Sequence, residues 1–141
     1  MLYTSELLAL IWVHFIADFL LQTDKQALGK SSSNKALLSH VLVYTAALFY
    51  GLFMVDLIIA MMSPQFNWKT ARIIERAHYV TRHLGAFCLL NGILHFAVDY
   101  VSSRWGKKLY AEGRRRAFFA VVGLDQALHM TCLALTQAVL R

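Results

Sequence analysis

His14-Phe-Ile-Ala-Asp18-Phe19 and His95-Phe-Ala-Val-Asp99-Tyr100 are two copies of one phrase, His-Phe-x-x-Asp-aromatic. In each copy an imidazole and a carboxylate stand four residues apart, which stacks them on one face of a helix. Asp125 and His129 repeat that spacing in reverse order, and His40 adds another imidazole. Neutral imidazole and carboxylate are the common protein ligands for zinc and other divalent transition metals. Helical bundles hold dinuclear centres with inward-facing pairs of this kind. His14, Asp18, His40, His95, Asp99, Asp125 and His129 outnumber the four ligands of one closed tetrahedral site. They suit one or two divalent ions, zinc first among them, with an open position and some side chains orienting the ligands. Such an ion brings bound water to a reactive state near neutral pH and stabilises charge on a phosphoryl or carbonyl oxygen. Asp18 or Asp99 would serve as general base, and spacing does not choose between them. Gln22, Asn91, Gln126 and Tyr44 lie on or near the same faces, and the three amides are also candidate substrate contacts.

The elements that position these residues are apolar. Of 141 residues, 58% are hydrophobic and one is proline, and the mean hydropathy is +0.50. That composition does not suit a water-soluble domain. Four apolar windows, Leu2–Leu21, Ala36–Met62, Leu84–Val101 and Ala117–Leu140, each approach the ~20 residues of a spanning helix. The expectation is an all-α, four-helix transmembrane bundle forming one membrane domain over 1–141, with helices near 2–22, 36–62, 82–102 and 117–140. The first window is not a secretory signal, because it has no basic flank or A-x-A-like cleavage site and carries Glu6. Cys88 and Cys132 lack a C-x-x-C partner and read as small packing residues. No phosphate-binding glycine loop, nucleophile elbow or zinc-finger spacing is present, and nothing points to nucleic acid.

The net charge of +6 resides mainly in the connections. The first loop (Lys25, Lys30, Lys35) and the third (Arg104, Lys107, Lys108, Arg114, Arg115, Arg116) share one side and carry nine basic residues. The opposite side has Lys69, Arg72, Arg76, Arg82 and Arg141, which makes five. The positive-inside rule puts the first and third loops in the cytoplasm and both termini outside. Counting 1.5 Å per residue from that side puts Asp18 about 6 Å deep, His14 about 12 Å, His40 about 7 Å, Asp99 about 4 Å and His95 about 10 Å. Asp125 comes to about 13 Å and His129 to about 19 Å. Antiparallel helices thus deliver their ionisable groups to one half of the membrane. The shared phrase also suggests a duplicated helical hairpin with a pseudo-two-fold axis along the membrane normal.

Plainer readings compete with a functional site. Intramembrane polar groups can serve only to join helices, at ~0.6 kcal/mol each. That gain does not match ~2.5–3.5 kcal/mol for inserting each Asp. The basic third loop reads first as a topology and anionic-lipid signal. Asp56 and Glu6 sit near helix ends, and His78 and His83 read as interfacial residues. Ser63–Lys69 breaks the second helix, with Trp68 as an interfacial anchor, and Thr70–Tyr79 suggests a short amphipathic surface helix. Gly51, Gly85 and Gly92 permit close helix approach, and a bundle this small suggests a homodimer.

The segments HFIADFLLQTDKQALGK and NGILHFAVDY, with His40 and the closing LDQALH, resemble an uncharacterised family of small membrane proteins from bacteria and their phages. More weakly, they resemble LexA-regulated inner-membrane metal-dependent hydrolases. More distantly, they resemble the zinc-dependent phospholipase C and P1 nuclease group, whose N-terminal Trp ligand has no counterpart here. The resemblance implies phosphoester hydrolysis in the bacterial inner membrane and metal roles for the seven His and Asp residues. Beneath basic loops, the expected substrate is an anionic phosphoester or lipid-linked phosphate arriving from the cytoplasmic side, with Lys25 and Lys30 as contacts. The rival expectations are divalent-metal or proton transport through the same His/Asp relay, and a non-catalytic membrane accessory protein.

Overall fold

A backbone without access to water must satisfy its N–H and C=O groups internally, and helix is the local way to do so. The computed structural model describes residues 4–62 and 73–140. Its elements are α1 (Thr4–Phe15), a π-helical turn (Ile16–Leu20), α2 (Asp24–Gly29), α3 (Asn34–Met62), α4 (Ile73–Ala111) and α5 (Arg115–Val139). The described residues contain no strand. The protein is an all-α bundle.

Three of these helices, over Asn34–Met62, Arg82–Ala111 and Arg115–Val139, are long and apolar enough to cross a membrane. Among the described residues the first element contributes the apolar stretch Leu7–Leu20, within the window expected for the first span. The surface matches a membrane protein: Trp12, Ile93, Phe119 and Met62 are exposed, whereas His14, Asp18, His40, His95, Asp99 and His129 are buried. A protein folded for water shows the opposite arrangement.

Each helix buries one stripe. On α3 the stripe is Leu37, His40, Val41, Tyr44 and Leu48, spaced by threes and fours as a 3.6-residue period requires. On α5 it includes Val121, His129, Leu133 and Thr136. α1 and the π turn pack on α3, α3 on α4, and α4 on α5. Two of the predicted small contacts lie inside the protomer: a Cβ on Gly51 would strike Val13, and one on Gly92 would strike Thr45. Leu10, Leu48, Phe87, Cys88 and Leu133 belong to an apolar core cluster, one or two turns from the ionisable layer and away from α2.

The third connection also differs from expectation. α4 does not end near residue 102 but continues to Ala111, because Arg, Lys, Leu and Ala favour helix. It stops at Gly113, whose φ is +70°. The Gly113 N–H donates to the Tyr110 carbonyl and the Arg114 N–H to the Leu109 carbonyl, a Schellman closure. At the other end, Ile73–Tyr79 runs on into α4 rather than forming a separate surface helix. Ser63–Lys69 and Thr70–Arg72 lie outside the described residues.

Candidate metal centre

The first ligand pair sits where α1 gives way to the π turn. The Leu21 N–H donates to the Ile16 carbonyl at 3.0 Å, the five-residue closure of a π turn. Single π turns widen a helix and often occur at functional sites. Asp18 lies within this turn and is buried. Nothing in the sequence signals the π turn. It arises where the chain must bring His14 and Asp18 into the bundle together.

Four side chains meet at the centre. His40 Nε2 lies 3.1 Å from Asp18 Oδ1 and 3.1 Å from His95 Nε2. It is 3.4 Å from Asp99 Oδ2. His95 Nε2 lies 3.4 Å from Asp18 Oδ1 and 3.5 Å from Asp99 Oδ2. A zinc ion with ~2.0–2.1 Å bonds separates tetrahedral ligands by roughly 3.3–3.4 Å, and these donor–donor distances bracket that edge. Two neutral imidazoles facing each other through Nε2 can share only one N–H between them. The quartet therefore fits a cation better than it fits hydrogen bonding alone.

The remaining oxygens point to a second group. Asp18 Oδ2 lies 3.9 Å from His129 Nδ1, and Asp99 Oδ1 lies 3.9 Å from His129 Nε2. Asp125 Oδ2 is 3.7 Å from His129 Nδ1. Both ring nitrogens of His129, and Asp99 Oδ1, are buried without a hydrogen-bond partner. Leaving such groups unmade typically costs 1–3 kcal/mol apiece. Three sets can hold a metal ion: Asp18, His40, His95 and Asp99; His14, Asp18 and His129; Asp99, Asp125 and His129. Asp18 and Asp99 each turn one oxygen to the quartet and the other toward His129, so the two carboxylates belong to more than one of these sets.

The supporting contacts fix these orientations. His95 is stacked between Tyr44, with centroids 3.9 Å apart, and His129, at 4.1 Å. His14 Nε2 donates to Gln126 Oε1, a carbonyl-type acceptor, at 3.2 Å, so His14 Nδ1 accepts the Tyr44 hydroxyl at 3.1 Å. Gln126 Nε2 donates to Asp18 Oδ2 at 3.1 Å and to Asp125 Oδ2 at 3.0 Å. One amide thus holds two carboxylates and one imidazole. Ser102, which spacing did not single out, donates to Asp125 Oδ1.

Lys30 reaches Asp99 Oδ2 at 3.0 Å. It is placed by α2, whose Thr23 and Gln26 form a reciprocal capping box and whose Gln26 amide donates to Ser39 of α3. The Thr-x-x-Gln pattern was the available sign of this helix. Three carboxylates against one ammonium leave two negative charges in the layer when the imidazoles are neutral, the charge of one divalent cation. Buried charge persists only when paired.

A cavity of about 540 Å³ opens beside the centre, lined by Asp18, Gln22, Lys30, Asp99, Asp125 and Gln126 among others. Gln22, Lys30 and Gln126 therefore stand where a substrate contact would. Lys25 is exposed and does not line the cavity. Asn91 is directed elsewhere: its amide donates to the Phe87 carbonyl and to Thr136 Oγ1, one turn from His95 and away from the cavity. Lys107 and Ser103 line the rim, placed there by the extension of α4.

No curated protein and no solved structure matches the chain. A family model described as "Protein of unknown function (DUF3307)" matches residues 7–140. With nearly all of its length covered, buried histidine–aspartate groups included, the chain belongs to the DUF3307 family.

Proposed function

We propose that this protein is a membrane-embedded, metal-dependent phosphoester hydrolase whose centre opens toward the cytoplasm. The observation that carries the reading is the His40–His95–Asp18–Asp99 quartet beside a cavity lined by Lys30 and Lys107. Its location is the bacterial inner membrane, with α2 and the α4–α5 turn on the cytoplasmic side by the count of basic residues. The ion is zinc, one or two per chain, and a homodimer is compatible with the small lateral area.

His40, His95, Asp18 and Asp99 would hold the first ion, and His129 with Asp125 the second. The bound metal supplies Lewis acidity toward a phosphoryl oxygen and an acidified water. Gln126 keeps Asp18 and Asp125 aimed, and His14, oriented by Tyr44, keeps Gln126 from turning. Asp18 and Asp99 are occupied by histidine contacts. Asp125 is the more exposed carboxylate and lines the cavity; with only the first ion bound it would share with Asp18 and Asp99 the proton-accepting role that spacing offered to those two. Lys30 and Lys107 at the rim suit phosphate oxygens.

Transport is the weaker reading. Around and beyond Asn91 and Thr136 pack Leu10, Leu48, Phe87, Cys88 and Leu133, which among the described residues gives an ion no continuing polar path. The test is p-nitrophenol release from p-nitrophenyl phosphate and its bis-ester by zinc-loaded protein, beside His40→Ala and Asp125→Asn. Hydrolysis abolished in both variants supports the reading. Equal background release in all three would end it.

A further inference from the structure

The cavity beside the centre has two unlike walls. Asp18, Asp99, Asp125 and Gln126 form its polar floor, with Lys30 and Lys107 at the rim. The other wall is apolar and includes Phe19, Leu28, Phe118, Val121 and Val122. Phe19, Leu28 and Val122 are exposed, Leu28 at 81%. In a bundle whose outer surface is apolar because lipid covers it, these side chains continue that surface into the mouth of the cavity.

The helix packing explains why the mouth lies there. α1 and the π turn rest on α3, and α5 rests on α4. The π turn and α5 are instead bridged by side chains, through the Gln126–Asp18 and His14–Gln126 hydrogen bonds. The cavity is lined from both the π turn and α5, and the exposure of Phe19 on one and Val122 on the other marks the gap between these elements as its mouth. A water-soluble ester gains nothing from an exposed leucine and phenylalanine at its entrance. An amphiphile does, because its chain remains among apolar groups while its head reaches the lysines and the centre.

Resting on the hydrolase reading, we propose that the substrate is a lipid phosphate that enters sideways from the bilayer through the cleft between the π turn and α5. The phosphate lies between Lys30, Lys107 and the His/Asp floor, and the hydrocarbon chain leaves past Phe19 and Val122. The shared chemistry with a soluble ester is the phosphate itself. The chain makes the difference.

The test uses full-length zinc-loaded protein in nanodiscs containing phosphatidic acid with a diazirine near the carbonyl end of one acyl chain. After irradiation, labelled residues are mapped by mass spectrometry, and metal content is measured on the same sample. The expected result is labelling concentrated at Phe19, Leu28 and Val122. It should fall at least fivefold in Val122→Trp, stay unchanged in Leu89→Trp on the outer face of α4, and resist excess glycerol 3-phosphate. Labelling spread evenly over Ile58, Leu89 and Ile93, or displaced by glycerol 3-phosphate, would overturn the proposal. Bound metal without cleft labelling would remove the lipid substrate and leave the hydrolase. Cleft labelling without bound metal would keep a lipid site and remove the hydrolase.

Discussion

Gly92→Ala tests how the two histidine-bearing helices come close enough to share an ion. Gly92 on α4 faces Thr45 on α3, next in sequence to Tyr44 and about 1.4 helical turns from His40. A Cβ at position 92 would overlap Thr45 Oγ1 and come within 3.5 Å of both Thr45 carbon atoms, Cβ and Cγ2. Thr45 cannot swing away freely, because its hydroxyl donates to the Val41 carbonyl at 2.8 Å and a hydrogen bond of this kind is worth ~1 kcal/mol. Either that bond breaks or the helices part by on the order of 1 Å, and overpacking of this sort costs ~1–3 kcal/mol. The His40–His95 Nε2 separation of 3.1 Å cannot absorb such a displacement, since metal sites tolerate about 0.2 Å. Gly92→Ala should therefore lower unfolding free energy in detergent by ~1–3 kcal/mol and weaken zinc retention. Thr45→Ala removes the obstructing oxygen, so Gly92→Ala/Thr45→Ala should recover most of both losses, with a coupling of ~1–2 kcal/mol. The assay is reversible denaturant unfolding of the four proteins, with zinc affinity measured by competition with a chelating dye. Losses that simply add, within ~0.5 kcal/mol, would refute the close approach of α3 and α4 at this point.

Other expectations follow from individual contacts. Lys30→Ala leaves Asp99 without its ammonium and should cost ~1–3 kcal/mol in metal-free protein, discounted because Lys30 is partly exposed. The penalty should shrink when zinc is added, and paired melts with and without zinc would show it. Gln126→Leu frees Asp18, Asp125 and His14 at once, so zinc affinity should fall by ~10–100-fold, as dye competition would reveal. Asn91→Leu replaces a buried amide outside the cavity by a group of similar volume. Stability should change by less than ~1.5 kcal/mol and zinc binding not at all, and loss of zinc would show that the layer containing Asn91 belongs to the centre. Because histidine and aspartate must shed protons to bind metal, zinc affinity should fall as pH drops, and dye titrations at graded pH would follow it.

Much of this layout was legible in the sequence. The four-residue His–Asp spacing fixed which side chains share a helix face, and the depth count brought His14, Asp18, His40, His95, Asp99, Asp125 and His129 to one half of the membrane. That count ended the third helix near residue 102 and so set Asp99 well above His129, from which it lies 3.9 Å away. The residues that support the layer were less legible, because their roles depend on tertiary contacts. Gln126 could be placed on the right face, but its simultaneous hold on Asp18, Asp125 and His14 required the packed bundle. Asn91 has helical spacing to His95, yet one turn of displacement carries it past the cavity to Thr136. Lys25 and Lys30 look alike in sequence, and α2 turns only Lys30 inward. The reach of α4 to Ala111 was hidden because hydropathy falls after Val101 while helix propensity does not. The π turn at Ile16–Leu20 was hidden because its residue types do not distinguish it from continuing α-helix.

The most direct measurement is elemental analysis of detergent-purified protein beside an Asp99→Asn variant. Asp99 offers one oxygen to the quartet and the other to the His129 group, so its loss should disturb both. The account predicts one or two equivalents of a divalent transition metal in the native protein and substantial loss in the variant. Trace metal at equal levels in both would contradict it.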